Sequence, residues 1–357
     1  MSLITTNNGT SNIGATSVEA QNKGWLYEIS FIRPILLILL VSYHAFCYNC
    51  GAWSIPDGIT TNCIYKWIAL ISRAFRLEGF VFVSGYVFAL QVLKKNKFEN
   101  IQLLIKSKFK RLIIPYFIFG IAYYCMFGLD KSPIILLKGI GHLWYLPCLF
   151  WCFIGTYIIY KSNIKESLII FSLILLIPFS ILPIPLQINS ACYYMLFFYA
   201  GGIFWKYSEK IKENVNSSKI VTYWIIFTVL LIANNTLIEY LSNIASDQHI
   251  LIKSAIMASN KIIKAILACS GIYAIYSSAS LFIKNHSLKN WVVKIGDYGY
   301  GVYIFHQFIL IYLFYHTSLP SIVGSTWLPW AGLAITVVGS IMFTAIFRST
   351  KLGRSLL

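Results

Sequence analysis

The sequence predicts an all-α integral membrane protein, a bundle of about ten transmembrane helices with both termini in the cytoplasm (N-in/C-in). Three observations predict it. Of 357 residues, 58% are hydrophobic and only 11% charged, with a mean hydropathy of +0.69; soluble domains carry roughly 25% charged residues. Apolar runs of about 18 residues or more recur along the whole length, each sufficient to cross about 30 Å of hydrocarbon. Lys and Arg are crowded into alternate connections between those runs, the asymmetry that sets membrane orientation.

Taken in order, residues 1–24 are polar and rich in Asn, Thr and Ser. They lack a basic stretch leading into a short apolar core, so they read as a disordered cytoplasmic tail and not as a signal peptide. Spans are read at 29–48, 66–92, 112–128, 143–160, 167–183, 190–206, 220–238, 262–283, 299–317 and 327–347. Together they make one membrane domain over 25–350, followed by a short cytoplasmic tail at 351–357. Helices are required because backbone polar groups in lipid must be satisfied inside the segment, and no alternating barrel pattern is present. Short connections make successive helices antiparallel neighbours. With the N-terminus inside, the cytoplasmic loops hold Lys94, Lys95, Lys97, Lys106, Lys108, Lys110, Arg111, Lys206, Lys210 and Lys212, among others. The outer side holds only Lys66, Lys131, Lys138, Lys253, Lys261 and Lys264.

The net charge of +17 invites a nucleic-acid reading. These basic residues, however, flank apolar spans in short loops, so the partner they imply is the anionic bilayer surface and no nucleic acid. The eight cysteines are scattered. Cys47 and Cys50 form a CxxC that reads as small apolar packing groups ahead of a redox or zinc site. A Cys50–Cys63 disulfide in the first outer loop is left open. No metal is expected.

An ionisable group inside a span costs about 2.5–3.5 kcal/mol on insertion scales and is a functional candidate by default. Arg33 and His44 lie eleven residues apart on span one. Eleven steps make about three helical turns, so both share a face, separated by roughly 16 Å along the axis. Span two carries Arg73, Arg76 and Glu78, the only carboxylate deep in any span as drawn, with the two arginines at about the depth of His44. His142 sits at the outer mouth of span four and His306 inside span nine. One site would gather His44, Arg73, Arg76, Glu78 and His142 around a water-filled cavity. The structural alternatives are that Arg73 and Arg76 merely neutralise Glu78 and lock the bundle, that His142 anchors at the interface, and that His306 is an interhelical hydrogen-bond partner. Gly79, Ser84 and Gly85 in span two allow close helix approach or a break, and close packing is the favoured reading.

At these residues the chain resembles the acyltransferase-3 family of membrane acyltransferases. "RPILLILLVSYH" carries a basic-x10-His pattern at Arg33 and His44; "EGFVFVSGY" (78–86) is similar to the family's SGY segment; "KSKFKRLIIPYF" (106–117) to its basic motif before a proline-started helix; "GHLWYLP" (141–147) to its HLWFL element; and "YGYGVYIFHQ" (298–307) to its late SYGIYLFH helix. The five pieces occur in family order over most of the chain. Two departures are visible. Glu78 stands where many relatives have a neutral residue, and Lys fills basic positions that are often Arg.

The resemblance implies an enzyme of the inner (cytoplasmic) membrane. It would move an acetyl or other acyl group from cytoplasmic acyl-CoA, typically acetyl-CoA, to a hydroxyl of a cell-surface, exported or lipid-linked polysaccharide. Arg33, Lys106, Lys108, Lys110 and Arg111 would hold the donor phosphates. His44 would act as general base, with either direct attack on the thioester or a covalent acyl intermediate on His44 or Ser84. Arg73 or Arg76 would stabilise the oxyanion, and Glu78 would orient an Arg or hold the His44 tautomer. His142, Trp144, Ser84 and His306 would support the site or the acceptor. The rival classes are a transporter or flippase for a glycan or small solute using the same intramembrane charges, and a non-catalytic subunit of polysaccharide synthesis.

Overall fold

The computed structural model describes the backbone of residues 12–129, 132–245, 249–285 and 290–357, with side chains described from residue 27 onward except those of 242–245, 250–251, 284–285 and 290–295. Regular structure among the described residues is entirely helical. In chain order the helices are α1 (Asn12–Phe46), α2 (Cys63–Arg73), α3 (Arg76–Ala89), α4 (Ile101–Lys108), α5 (Ile114–Phe127), α6 (Ile135–Lys138), α7 (Tyr145–Lys161), α8 (Glu166–Leu176), α9 (Ile188–Lys206), α10 (Ser208–Glu213), α11 (Ser217–Ala245), α12 (Ile250–Asn285), α13 (Asn290–Tyr315), α14 (Leu319–Ser349) and α15 (Lys351–Leu356).

Among the described residues, six segments are long and apolar enough to cross a membrane: Tyr27–Cys50, Cys63–Lys94, Ile101–Phe127, Ser217–Leu241, Ile252–Ile283 and Leu319–Ser349. The other four expected spans coincide with α7, with α8 and its 3-10 extension to Ile181, with α9 and with α13. Of the expected tails, residues 1–11 lie outside the described residues, while the backbone is already helical from Asn12. At the other end α15 is a capped helical turn, its Gly353 N–H donating to the Thr350 hydroxyl at 2.9 Å.

Three boundaries differ from the sequence reading, each for a physical reason. Span two is broken: α2 ends at Arg73 and α3 starts at Arg76, with Ala74 and Phe75 between them. The small residues Gly79 and Gly85 lie elsewhere and serve close packing. A Cβ on Gly85 would collide with the backbone carbonyl of Phe198, and one on Gly201 with that of Phe82, so α3 and α9 touch backbone to backbone. The third span starts earlier than expected. α4, a π-helical stretch at Phe109–Ile113 and α5 form one continuous segment, so the basic cluster Lys106–Arg111 sits within a helix and not in a loop. Pro115 has no N–H to offer the carbonyl four residues back, that of Arg111. The helix opens into a π turn there, and the Arg111 carbonyl accepts from the Tyr300 hydroxyl at 2.8 Å. Finally, α12 begins at Ile250, so Lys261 and Lys264, counted above as outer-loop charges, lie inside a helix.

The core is aromatic and aliphatic. α3 packs along α9 and against α1, α13 packs between α1 and α14, and α11 pairs with α12. α1 is central, with Leu36, Val41, Ala45 and Phe46 fully buried.

Candidate functional site

A cavity of about 700 Å³ opens among α1, α3, the α4–α5 segment, α7, α13 and α14. Four cations line it: Arg33, Lys108, Arg111 and Arg348, against one acid, Asp297. Lys108 and Arg111 are three residues apart and share a helix face. Lys106 and Lys110, read with them as donor ligands, fall on the other face, are exposed, and do not line the cavity. The Lys108 ammonium lies 3.7 Å from the centroid of the Phe153 ring, a cation–π contact that holds its stem. Arg348 lies in the last turn of α14. In the structure its guanidinium donates to the Asp297 carbonyl at 2.9 Å and joins the cavity wall. The inner wall carries Ser84, Tyr145, Tyr300 and Tyr303. Ser84 donates its hydroxyl to the Phe80 carbonyl at 2.9 Å, and the buried Tyr145 hydroxyl stands beside the Ser84 side chain. Glu28, just outside span one as drawn, is a second buried carboxylate, and Lys212 pairs with it at 2.9 Å.

Beyond Tyr303 lies a cluster of three histidines. The ring centroids of His142 and His306 are 4.7 Å apart, those of His44 and His306 5.0 Å, and Tyr303 stacks edge-on to His142 at 5.3 Å. All three histidines are buried. The sequence placed His306 as support; it is the centre of the group. Its Nδ1 faces the Tyr303 carbonyl at 2.7 Å, so the neutral ring carries its proton there. Its Nε2, the remaining lone pair, is buried without a partner. Gln307, which the sequence reading did not single out although it ends the quoted late motif, ties the cluster together. Its Oε1 accepts from the His142 backbone N–H at 2.8 Å and faces His142 Nδ1 at 2.7 Å, and its Nε2 approaches His44 Nδ1 at 3.5 Å. Trp144 packs on Tyr194, centroids 5.8 Å apart, beside the cavity and not in it. Among the described residues no three His, Cys, Asp or Glu side chains form a group that could hold a metal ion. All eight cysteines are free; Cys47 and Cys50 both donate to helix carbonyls at 3.2 Å.

A second cavity, about 270 Å³, lies between α2–α3, α11 and α12 and is lined by Arg73, Arg76 and Glu78. The single gathering of His44, Arg73, Arg76, Glu78 and His142 expected from the sequence is therefore divided. His44 and His142 stand with His306. The span-two charges line this second cavity, and Tyr43 touches both groups, with the Arg76 guanidinium 3.7 Å over its ring and the His44 ring 4.9 Å away. Glu78 touches neither arginine within ion-pair distance, nor His44. Its Oε1 takes Lys264 at 3.2 Å and the Tyr193 hydroxyl at 3.1 Å. Arg33 and His44, three turns apart, open on different spaces: Arg33 on the large cavity, His44 on the histidine cluster behind Tyr303.

A family model described as an acyltransferase domain (Acyl_transf_3) matches residues 26–348, nearly the whole chain. No curated protein matches the chain, and no solved structure does.

Proposed function

The chain belongs to the acyltransferase-3 family and is a membrane acyltransferase; from that premise we propose that it moves an acetyl group from cytoplasmic acetyl-CoA to a hydroxyl of an extracytoplasmic or lipid-linked polysaccharide. The observation that carries this reading is the large cavity. It is walled by Arg33, Lys108, Arg111 and Arg348 at one end and by Ser84, Tyr145 and Tyr303 at the other, and it stops one aromatic ring short of three buried histidines. A CoA molecule presents clustered phosphates at one end of a long flexible arm and a thioester at the other. The four cations suit the phosphates through charge-assisted bonds, with the basic end of the bundle facing the cytoplasm. The arm then runs past Ser84 towards Tyr303.

Attack on the thioester needs a base for the acceptor hydroxyl and a donor for the developing oxyanion. We place the base in the His44–His306 pair. His306 offers an unoccupied lone pair at Nε2, with its proton held on Nδ1 by the Tyr303 carbonyl, and His44 packs against it. Gln307 and His142 position the pair. The Tyr145 hydroxyl, buried on the wall of the donor cavity beside Ser84, is the oxyanion donor in place of Arg73 or Arg76, which open on the other cavity. The acceptor hydroxyl loses its proton to the pair as its oxygen bonds to the acyl carbon, and the CoA sulfur leaves as thiolate.

The test is mass spectrometry of surface glycans from wild type, a deletion strain and a strain carrying His44→Ala. The expected result is loss of one acetyl mass in both mutant strains while the variant protein still inserts and binds CoA. Unchanged acetylation in the deletion strain refutes the reading. A transporter would instead show solute flux in vesicles without acetyl-CoA.

A further inference from the structure

The second cavity has the marks of a built binding site. Three of its wall residues are almost wholly buried and each leaves one polar atom without a partner: Nε of Arg76 (6% exposed), Oε2 of Glu78 (0%) and Oδ1 of Asn234 (5%). A buried polar group without a partner costs about 1–3 kcal/mol and more when charged, so three around one space call for something that fills it. Glu78 answers only one of the cations here, Lys264 at 3.2 Å. Arg73 and Arg76 have no carboxylate within ion-pair distance among the described residues, and the Arg76 guanidinium lies 3.7 Å over the Tyr43 ring with its Nε unpartnered. The break at Ala74–Phe75 adds to this. It starts α3 at Arg76, so the unsatisfied N–H groups and positive dipole end of a 14-residue helix lie in the same wall. The inventory is an excess of positive charge plus two hydrogen-bond acceptors. At about 270 Å³ the space is smaller than the roughly 300–1,000 Å³ that encloses a drug-sized ligand, which suits one residue of a chain.

We propose that this cavity, one aromatic ring from His44, is the acceptor subsite and takes an anionic saccharide unit: Arg73 and Arg76 bind its carboxylate or phosphate, while Glu78 and Asn234 accept from its hydroxyls. The assignment rests on the acetyl-transfer reading and narrows it to acidic glycans. Tyr43, between the Arg76 guanidinium and the His44 ring, sets the distance between the charged group and the hydroxyl that reacts.

The experiment uses the full chain purified in detergent, with its thermal midpoint followed against glucuronate, glucose 6-phosphate, glucose and acetate at matched ionic strength, and CoA binding measured on the same samples. Glucuronate or glucose 6-phosphate should stabilise saturably, and which of the two does so tells a carboxylate from a phosphate; glucose and acetate should not. Arg73→Gln, at a half-buried position, should weaken that binding by about tenfold or more with CoA binding unchanged. Arg76→Lys, which keeps a cation over Tyr43 but loses the fork, should weaken it as well. Stabilisation by glucose equal to that by the acidic sugars, or wild-type binding of them by both variants, overturns the proposal. CoA binding without acidic-sugar binding overturns the subsite alone; acidic-sugar binding without CoA binding overturns the donor assignment alone.

Discussion

Gly85 lies in the SGY segment, and the structure gives it a mechanical role that can be measured. In Gly85→Ala the new methyl would meet the backbone of Phe198, with the carbonyl carbon at 2.7 Å and Cα at 3.0 Å. Ordinary carbon–carbon contact is about 3.5–4.0 Å. The obstacle is backbone within a helix, so no side chain can swing aside and α3 must part from α9. Overpacking of this kind costs about 1–3 kcal/mol, and the upper end applies where backbone meets backbone. The better helix propensity of Ala returns up to about 1 kcal/mol, leaving a net loss of about 2 kcal/mol. That corresponds to a midpoint lowered by about 4–8 °C for a chain of a few hundred residues. The consequence extends to the site, because α3 carries Arg76 and Glu78 and α9 carries Tyr193, whose hydroxyl bonds Glu78. The assay is thermal unfolding of the detergent-purified protein beside Gly299→Ala, a helical position where an added Cβ meets nothing within 4 Å and the midpoint should rise by a few degrees at most through the helix propensity of Ala. A Gly85→Ala midpoint equal to that of Gly299→Ala refutes the close approach of the two helices.

Other consequences are as direct. Arg33→Gln removes one charge-assisted partner of the donor phosphates and should weaken CoA binding by about 10- to 100-fold; calorimetry giving the wild-type Kd would remove Arg33 from the donor site. Tyr145→Phe deletes only the hydroxyl that stands beside Ser84 on the wall of the large cavity. It should lower kcat by about 100-fold with little change in KM for acetyl-CoA, and an unaltered kcat would exclude the hydroxyl as oxyanion donor. Lys264→Met leaves Glu78 buried with Tyr193 as its remaining partner. Stability should drop by about 3 kcal/mol, the low end for breaking a buried pair, and the double variant Lys264→Met/Glu78→Gln should recover most of it; a double variant no more stable than the single one would show that the pair is not what holds this wall.

The sequence by itself determined the class of molecule. Composition and apolar run length decide that the chain partitions into lipid, and lipid leaves helices as the way to satisfy a spanning backbone without a barrel. It also carried the family, because motifs such as Arg33-x10-His44 and "YGYGVYIFHQ" are local strings that survive without knowledge of contacts. It named His44, His142 and His306, whose rings the structure brings together. Arg33, Lys108 and Arg111 were legible as cations beside an apolar span, and two of them were separable in principle from Lys106 and Lys110 by helix phase alone.

Tertiary structure decided how these groups are shared among sites. Periodicity reports which face a residue occupies, but not what stands opposite. Hence Glu78, the natural partner of Arg73 and Arg76 by sequence proximity, pairs with Lys264 from a helix nearly two hundred residues away, and Arg348 enters the large cavity from the end of α14. The break before Arg76 and the π turn ahead of Pro115 escaped the hydropathy reading because each keeps an apolar run while changing its hydrogen bonds. The contact of Tyr43 with both groups of side chains arises from packing across helices, and nothing in a linear pattern specifies which aromatic ring will fill that place.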